Sequence, residues 1–142
     1  GEQGYRVALF GGPEDAADAA RMAADIGETA TVVAGQVTLA ESAALLAVCD
    51  VVVGNDTGLV HMARSVGVPT VHIYGSTTRH LGFYPYGDPT YRIHEVDLWC
   101  RPCHPHGGNR CLRGGRPCLH RIVVRRVEES LRQVLLERKG EL

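Results

Sequence analysis

Apolar runs with the length of buried strands alternate with helical segments four times within the first 75 residues of this chain. The runs are closed by glycine and joined to the helices by short connections. Two parallel strands need a crossover connection of this kind, so the alternation predicts βαβ units and a doubly wound parallel α/β sheet. The predicted strands cover residues 5–10, 30–33, 51–53 and 70–74, and the predicted helices cover residues 14–26, 38–47 and 59–65.

Local signals support these boundaries. Thr38 and Glu41 have the spacing of a capping box, which predicts that a helix begins here. Glu14 and Asp15 place acids in the first turn of another predicted helix, where they complement the helix dipole. Residues 51–53 are all valine, which is typical of a strand buried on both faces of a parallel sheet.

The second half of the chain has weaker signals. A loop rich in glycine, proline and tyrosine runs from residue 75 to residue 89, and a short strand is predicted over residues 91–94. An irregular Cys-rich segment follows, and a closing helix is predicted over residues 123–138. We find no repeat and no linker, so 142 residues predict a single domain over 1–142. The apolar face of the closing helix comprises Val124, Val127, Leu131, Val134 and Leu135.

Composition restricts the class of protein. Apolar residues make up 44% and charged residues 22% of the chain, which is the balance of a globular protein. The apolar runs are too short to cross a bilayer, and the first residues do not form a secretory signal. We therefore expect a cytoplasmic location, with at most peripheral contact at the inner face of the plasma membrane.

Basic residues concentrate near the end of the chain although the net charge is only −1. Such asymmetry can mark a nucleic-acid or membrane surface, and an acidic lipid substrate would also fit. We interpret it as a solvated helix face with a few loop arginines and expect no nucleic-acid partner. The residues are Arg101, Arg110, Arg113, Arg116, Arg121, Arg125, Arg126, Arg132, Arg138 and Lys139.

A candidate binding site follows the third predicted strand. Ligands bind at the carboxyl ends of the strands in open parallel sheets, and a helix N-terminus suits a phosphate group. Thr57 offers a hydroxyl there, Gly58 permits close approach, and His61 lies on the same helix face as Thr57. The carboxylate of Asp56 would repel a phosphate but can accept hydrogen bonds from sugar hydroxyls. The alternative is that Asp56 or Thr57 only caps the helix.

The run VVVGNDTGLVHMARSVGVPTVHIYG, residues 51–75, resembles the signature stretch of glycosyltransferase family 9, the ADP-heptose:lipopolysaccharide heptosyltransferases. Its Asp-Thr-Gly-Leu-x-His core, residues 56–61, is the most specific part. Residues 7–26 and 37–49 also resemble family elements, and the Cys-rich segment with the closing helix resembles the tail of several members. One departure is Gly75-Ser76-Thr77-Thr78, where the family often has Gly-Pro-Thr-Asp.

The resemblance implies a Rossmann-like domain that forms the C-terminal half of a GT-B glycosyltransferase and binds the ADP-sugar donor. It implies that Thr57 and Gly58 hold the diphosphate and that Asp56 holds the heptose hydroxyls. Asp15 would bind the ribose, although it can equally be a surface acid favoured by the helix dipole. The implied donor-binding residues are Asp15, Val37, Thr38, Asp56, Thr57, Gly58, Leu59, His61 and Thr77.

The resemblance also implies what these 142 residues lack. The lipopolysaccharide core acceptor would bind through the family's N-terminal domain, which is absent from the chain. That domain would also supply the aspartate that acts as general base in an inverting transfer. We therefore expect no catalytic residue among these residues, no required cofactor, and no sugar transfer by this chain alone.

Four cysteines in the irregular segment leave a second interpretation open. Cys100, Cys103, Cys111 and Cys118 can stay reduced or bind a structural zinc ion, whereas Cys49 lies in an apolar context typical of a core residue. The alternative function is a zinc-stabilised nucleotide- or nucleic-acid-binding module without transferase activity. A dinucleotide-binding oxidoreductase is excluded, because residues 11–14 do not provide Gly-x-Gly-x-x-Gly. The spare ligand candidates are His104, His106 and His120.

Overall fold

The computed structural model describes residues 4–82, 90–108 and 110–140. The chain divides into two compact units, Gly1–Leu45 and Leu46–Leu142. That both belong to the single predicted domain stays a prediction. The strands are β1 (Val7–Leu9), β2 (Ala30–Val32), β3 (Val52–Asn55), β4 (Thr70–Ile73) and β5 (Tyr91–His94). The helices are α1 (Ala16–Ile26), α2 (Leu39–Ala47), α3 (Gly58–Ser65), α4 (Pro117–His120) and α5 (Val124–Lys139).

The first unit contains a parallel pair of strands, β1 and β2, connected through α1. The helix predicted from residue 14 begins instead as a 3-10 turn, Pro13–Asp15, before α1. The carboxylate of Asp15 accepts the amide proton of Gly12 over 2.9 Å, and the Asp15 amide donates to the Gly12 carbonyl over 3.0 Å. These two bonds close a tight turn, so the first turn has three-residue spacing.

The predicted capping box at the start of α2 is confirmed. The Thr38 amide donates to Glu41 Oε2 over 2.7 Å, and the Glu41 amide donates to Thr38 Oγ1 over 3.3 Å. The hydrogen bonds from Thr38 lower the pKa of Glu41 because they stabilise its charged form.

The second unit contains a parallel sheet of order β3-β4-β5. In the register, Gly54 lies beside His72, which lies beside Ile93. β4 is the central strand, and three of its four residues are buried. The prediction that the valine strand is buried on both faces is wrong, because exposure alternates along β3 and Val53 is 43% exposed.

The predicted strand over residues 91–94 is confirmed as β5 and pairs in parallel with β4. The closing helix is confirmed as α5, with Val134 buried at its centre. The prediction that Val124 belongs to the apolar face is wrong, since this first helical residue is 78% exposed. Helix α4 was not predicted, because four residues are too few to show a helical period.

Gly54 is the point where β3 and α3 come closest. A Cβ atom at this position would lie 2.6 Å from Cγ2 of Val60, which is buried in α3. A β-branched side chain in a helix has little rotamer freedom to move away. We expect Gly54→Ala to lower the free energy of unfolding by about 1–3 kcal/mol, measured by chemical denaturation. Gly58→Ala is the control and should not destabilise, because a Cβ there would have nothing within 4 Å; equal losses would contradict the steric argument.

Candidate functional site

The end of β3 and the start of α3 place the hydroxyl of Thr57 beside a helix N-terminus. Thr57 is the N-cap residue with extended backbone, φ −135° and ψ 163°, and its side chain makes no capping hydrogen bond. Its carbonyl accepts the amide protons of Val60 and His61 at 3.2 and 3.4 Å, which starts the helix. The alternative that Thr57 serves as a side-chain cap is therefore not supported. The first amides of a helix have no intrahelical acceptor and are available to an anion.

The fold itself does not require a glycine at position 58. Its backbone does not adopt the left-handed conformation, and a Cβ atom would meet open space. Glycine is nonetheless the residue that lets a ligand approach the backbone most closely.

The Asp56 carboxylate is held between two histidines. Asp56 Oδ1 lies 3.0 Å from His61 Nε2, within hydrogen-bond distance, and 3.4 Å from His72 Nε2. The side chains of Asp56, His61 and His72 are 12%, 39% and 1% exposed. Within this cluster, His72 on β4 is therefore buried, whereas His61 on α3 is accessible to solvent.

Two tyrosines, Tyr74 and Tyr91, contact the imidazole of His72. Tyr91 Oη on β5 lies 2.9 Å from His72 Nδ1 and 2.8 Å from Tyr74 Oη. The Tyr74 ring stacks on the His72 imidazole with ring centroids 4.4 Å apart. These contacts define the position of the imidazole.

The other ring nitrogen of His72, Nε2, is buried and faces Asp56 Oδ1 over 3.4 Å, a long and poorly aligned contact. Burial lowers the pKa of His72 to about 4, against the opposing effect of Asp56, so the imidazole is neutral near pH 7. Burial also raises the pKa of Tyr91, which therefore stays protonated.

The structure groups the predicted residues as follows. Asp56, Thr57, Gly58, Leu59 and His61 lie together at the start of α3. Thr77, in the loop after β4, is only 7% exposed, and its carbonyl accepts a hydrogen bond from Arg101. The donor-binding role of these residues stays a prediction.

The other predicted residues, Asp15, Val37 and Thr38, belong to the first unit. Asp15 binds the Gly12 amide, and Thr38 caps α2 with Glu41. Val37 is partly buried. Their contacts to a nucleotide likewise stay predictions.

Sequence reasoning did not identify His72, Tyr74 and Tyr91 as part of the site. One signal was present: Thr70, His72 and Tyr74 alternate on one face of a strand that otherwise carries aliphatic side chains. Polar side chains in a central strand must find partners, and the nearest strand end carries Asp56.

All five cysteines lie within the described residues, and none of them is part of a disulfide bond. Cys118 is buried, Cys103 is exposed, and Cys49, Cys100 and Cys111 are partly buried. Partial desolvation raises the pKa of the Cys103 thiol although the residue is exposed, and the neighbouring thiols of the segment add to this effect. Within residues 4–82, 90–108 and 110–140, one group of three potential metal ligands has its ligand atoms within 4.8 Å of one another. The group consists of Asp56, His61 and His72 and contains no cysteine. A structural zinc ion on the four cysteines stays a prediction.

The basic residues near the end of the chain differ in role. Arg125 and Arg132 form exposed pairs with Glu129 and Glu128 one helical turn away, as expected of a solvated helix face. The side chain of Arg101, in contrast, is only 3% exposed. Its guanidinium donates to the carboxylate of Glu95 and to the carbonyls of Tyr74, Gly75, Thr77 and Val96.

Parallel strands connected through helices, with the polar cluster at the end of a strand, define an open α/β protein of the Rossmann-like class. The model of glycosyltransferase family 9 (heptosyltransferase) matches residues 1–109. The chain belongs to this family.

Individual proteins agree with this assignment. The chain is 40% identical over 80 residues to lipooligosaccharide heptosyltransferase 2 of Haemophilus influenzae, and 31% identical over 81 residues to lipopolysaccharide heptosyltransferase 2 of Escherichia coli. Each alignment covers 54% of this chain and 23% of the relative. The structure of Escherichia coli ADP-heptose lps heptosyltransferase II matches with a TM-score of 0.77 and 27% identity over 97% of this chain and 38% of that one.

A glycosyltransferase family 9 structure from Veillonella parvula shares the fold, with a TM-score of 0.77 and 24% identity over 96% of this chain and 38% of that one. The chain thus spans about a quarter of the length of the curated relatives it matches and well under half of the solved structures. Within the described residues, no helix has the length and apolar character needed to cross a membrane.

Proposed function

We propose that this chain is the donor-binding part of an inverting heptosyltransferase that acts in the assembly of the lipopolysaccharide core in bacteria. The proposal rests on the hydroxyl of Thr57 at the N-terminus of α3, beside Gly58 and Asp56. This hydroxyl makes no capping hydrogen bond to the helix. An ADP-sugar of the ADP-heptose type matches this arrangement, because its diphosphate suits the helix N-terminus and its sugar offers hydroxyl groups.

Each residue of this group has a separate task in the proposal. Thr57 donates its hydroxyl to a phosphate oxygen, and Gly58 and Leu59 present backbone amides. The carboxylate of Asp56 accepts hydrogen bonds from the sugar. His61 holds that carboxylate in place over 3.0 Å.

The remaining donor contacts complete the proposal. Thr77 donates to a phosphate, Asp15 binds the ribose hydroxyls, and Val37 and Thr38 contact the adenine. Asp56 is a poor general base for the acceptor hydroxyl, since it faces the donor and is engaged by His61. The base and the lipopolysaccharide acceptor site therefore belong to the acceptor domain of the enzyme, which works in the cytoplasm at the inner face of the plasma membrane.

The family assignment favours this function over the alternative of a zinc-stabilised nucleotide- or nucleic-acid-binding module. The distribution of arginines agrees, because the helix arginines Arg125 and Arg132 are paired with glutamates and Arg101 is buried. A titration with oligonucleotides should give no binding under conditions in which ADP binds.

Two substitutions at the helix start test the donor site. Thr57→Val removes a hydrogen bond to a charged phosphate, so it should weaken ADP binding by about 1.5–3 kcal/mol. Asp56→Ala should leave ADP binding unchanged and weaken the intact ADP-sugar. Both affinities are measured by isothermal titration calorimetry on the purified protein.

The matched control is Ser65→Ala, at the other end of α3. The Ser65 hydroxyl donates to the Met62 carbonyl of its own helix and should not affect either ligand. Equal affinities of the wild type, Thr57→Val and Asp56→Ala for both ligands would contradict the assignment.

A further inference from the structure

The part of the chain that follows β5 and reaches the first turn of α5 has a strong bias of charge. Residues 98–127 contain seven arginines and three histidines but no aspartate or glutamate. The side chain of Arg101 is buried, whereas Arg110, Arg113 and Arg116 are exposed. Basic side chains without acids between them create a positive surface, which attracts anionic partners.

The same segment exposes two large apolar side chains. Trp99 is 79% exposed and Leu112 is 85% exposed. Tryptophan is highly buried on average, so an indole with this exposure is informative. The guanidinium carbon of Arg113, which follows Leu112 in the chain, lies 5.9 Å from the centre of the Trp99 ring. Exposed apolar and basic side chains therefore meet here, and we call Trp99, Leu112 and Arg113 the Trp99 surface.

The segment that carries the Trp99 surface is attached to the fold. The Cys103 amide donates to the Ser76 carbonyl over 2.9 Å, and the Gly108 amide donates to Ser76 Oγ over 3.3 Å. Cys118, further along the segment, is buried. The segment is thus fixed to the loop after β4 while its apolar side chains point away from the core. Apolar side chains that are held outward and rimmed by polar ones are typical of protein or membrane interaction surfaces.

We propose that the Trp99 surface docks on an anionic phospholipid bilayer. Tryptophan suits the boundary between headgroups and acyl chains, because it combines a large apolar ring with one polar N–H group. Leu112 adds apolar area, and Arg110, Arg113 and Arg116 supply positive charge for the lipid phosphates.

A bilayer matches both properties of the Trp99 surface at once. Its anionic headgroups complement the arginines and its acyl chains accept the apolar side chains, whereas a nucleic acid would leave Leu112 without an apolar partner. The inference rests on the proposed function only for the location, since the proposed enzyme works at the inner face of the plasma membrane.

Trp99 is the only tryptophan of the chain, so its fluorescence reports directly on the proposed contact. The purified protein is mixed with vesicles of phosphatidylcholine, either alone or in equal parts with phosphatidylglycerol, and bound protein is separated by sedimentation. We expect binding to the anionic vesicles that weakens as salt is added. The emission of Trp99 should shift to shorter wavelengths and should be quenched by lipids with brominated acyl chains.

Two substitutions separate the apolar from the electrostatic contribution. Leu112→Ser should weaken binding to anionic vesicles by about 10-fold, the low end for removing a leucine from an apolar contact. Arg113→Gln should weaken it by about 5-fold, the usual contribution of one basic residue near an anionic surface.

The matched controls lie at the amino ends of the parallel strands, whereas Trp99 follows the carboxyl end of β5. Val48→Ser changes an apolar residue that precedes β3 and is 79% exposed. Arg138→Gln changes an arginine that pairs with Asp50, also just before β3. Both variants should bind vesicles like the wild type.

Sedimentation without a shift in Trp99 emission would overturn the inference, as would equal binding to neutral and anionic vesicles. Unchanged binding in Leu112→Ser, or binding to an oligonucleotide but to no vesicle, would overturn it as well. Circular dichroism checks the fold of each variant; if Leu112→Ser is unfolded, Arg113→Gln is the deciding variant. The vesicles contain no ADP-sugar, so vesicle binding without ADP binding would contradict the proposed donor site alone, and ADP binding without vesicle binding would contradict this inference alone.

Discussion

Replacing Arg101 by methionine is expected to lower the free energy of unfolding by about 3–5 kcal/mol, the usual cost of breaking a buried ion pair from one side. The methionine fills much of the space of the arginine stem but removes every donor. Four backbone carbonyls in residues 74–77 and at Val96 lose a charged donor at once. Glu95 keeps one partner, since Arg79 lies 2.7 Å from its other oxygen.

Chemical denaturation followed by circular dichroism measures this loss. Arg101→Lys should give an intermediate value, because an ammonium keeps the charge but cannot reach several carbonyls as the planar guanidinium does. Arg125→Met is the control: its side chain is 86% exposed, and its pair with Glu129 is worth only about 0.3–0.5 kcal/mol. Equal losses for Arg101→Met and Arg125→Met would contradict the role of the buried guanidinium.

Replacing Tyr74 by alanine is expected to cost about 3–5 kcal/mol, as for other large buried aromatic residues. The ring is fully buried and stacks on His72, so its loss leaves a cavity beside the site. Tyr74→Phe keeps the ring and loses only the hydrogen bond to Tyr91, so it should cost about 0.5–1.5 kcal/mol.

The same denaturation experiment distinguishes the contribution of the Tyr74 ring to stability from that of its hydroxyl. Tyr5→Ala is the control, since Tyr5 is 41% exposed and surface substitutions usually change stability by less than about 0.5 kcal/mol. Similar large losses in the phenylalanine and alanine variants would show that the hydroxyl, rather than ring packing, dominates. Calorimetry on Tyr74→Phe should show unchanged ADP affinity, because Thr57 and Gly58 do not contact Tyr74 in the proposal.

Both buried residues, Arg101 and Tyr74, contact parts of the proposed donor site in the second unit. Arg101 binds the carbonyls of the loop after β4, which carries Thr77, and Tyr74 packs against His72 beneath Asp56. Arg101→Met and Tyr74→Ala, which remove this support, should therefore lower ligand affinity as well as stability. A fixed arrangement of binding groups matters because a loosely held site loses affinity when its residues must be ordered on binding.

The sequence by itself was sufficient to predict the features that depend on residues close together along the chain. Alternating strands and helices predicted parallel pairing, and Thr38 with Glu41 predicted the start of α2. The sequence placed Asp56 and His61 at the same strand end, and the structure brings these two side chains to within 3.0 Å of each other. These features depend on local periodicity and capping, which a few adjacent residues determine.

Only the tertiary structure decided which distant side chains meet. His72 reaches Asp56 because the strand register places it beside Gly54, and Tyr91 reaches His72 across the next strand. Arg101 was expected to be one of a few loop arginines, but its side chain is buried against carbonyls up to 27 residues away along the chain. Val53 and Val124 were expected in the core but are exposed. In each case the outcome depends on strand order and packing, because hydrophobicity alone does not specify which face a neighbouring element will cover.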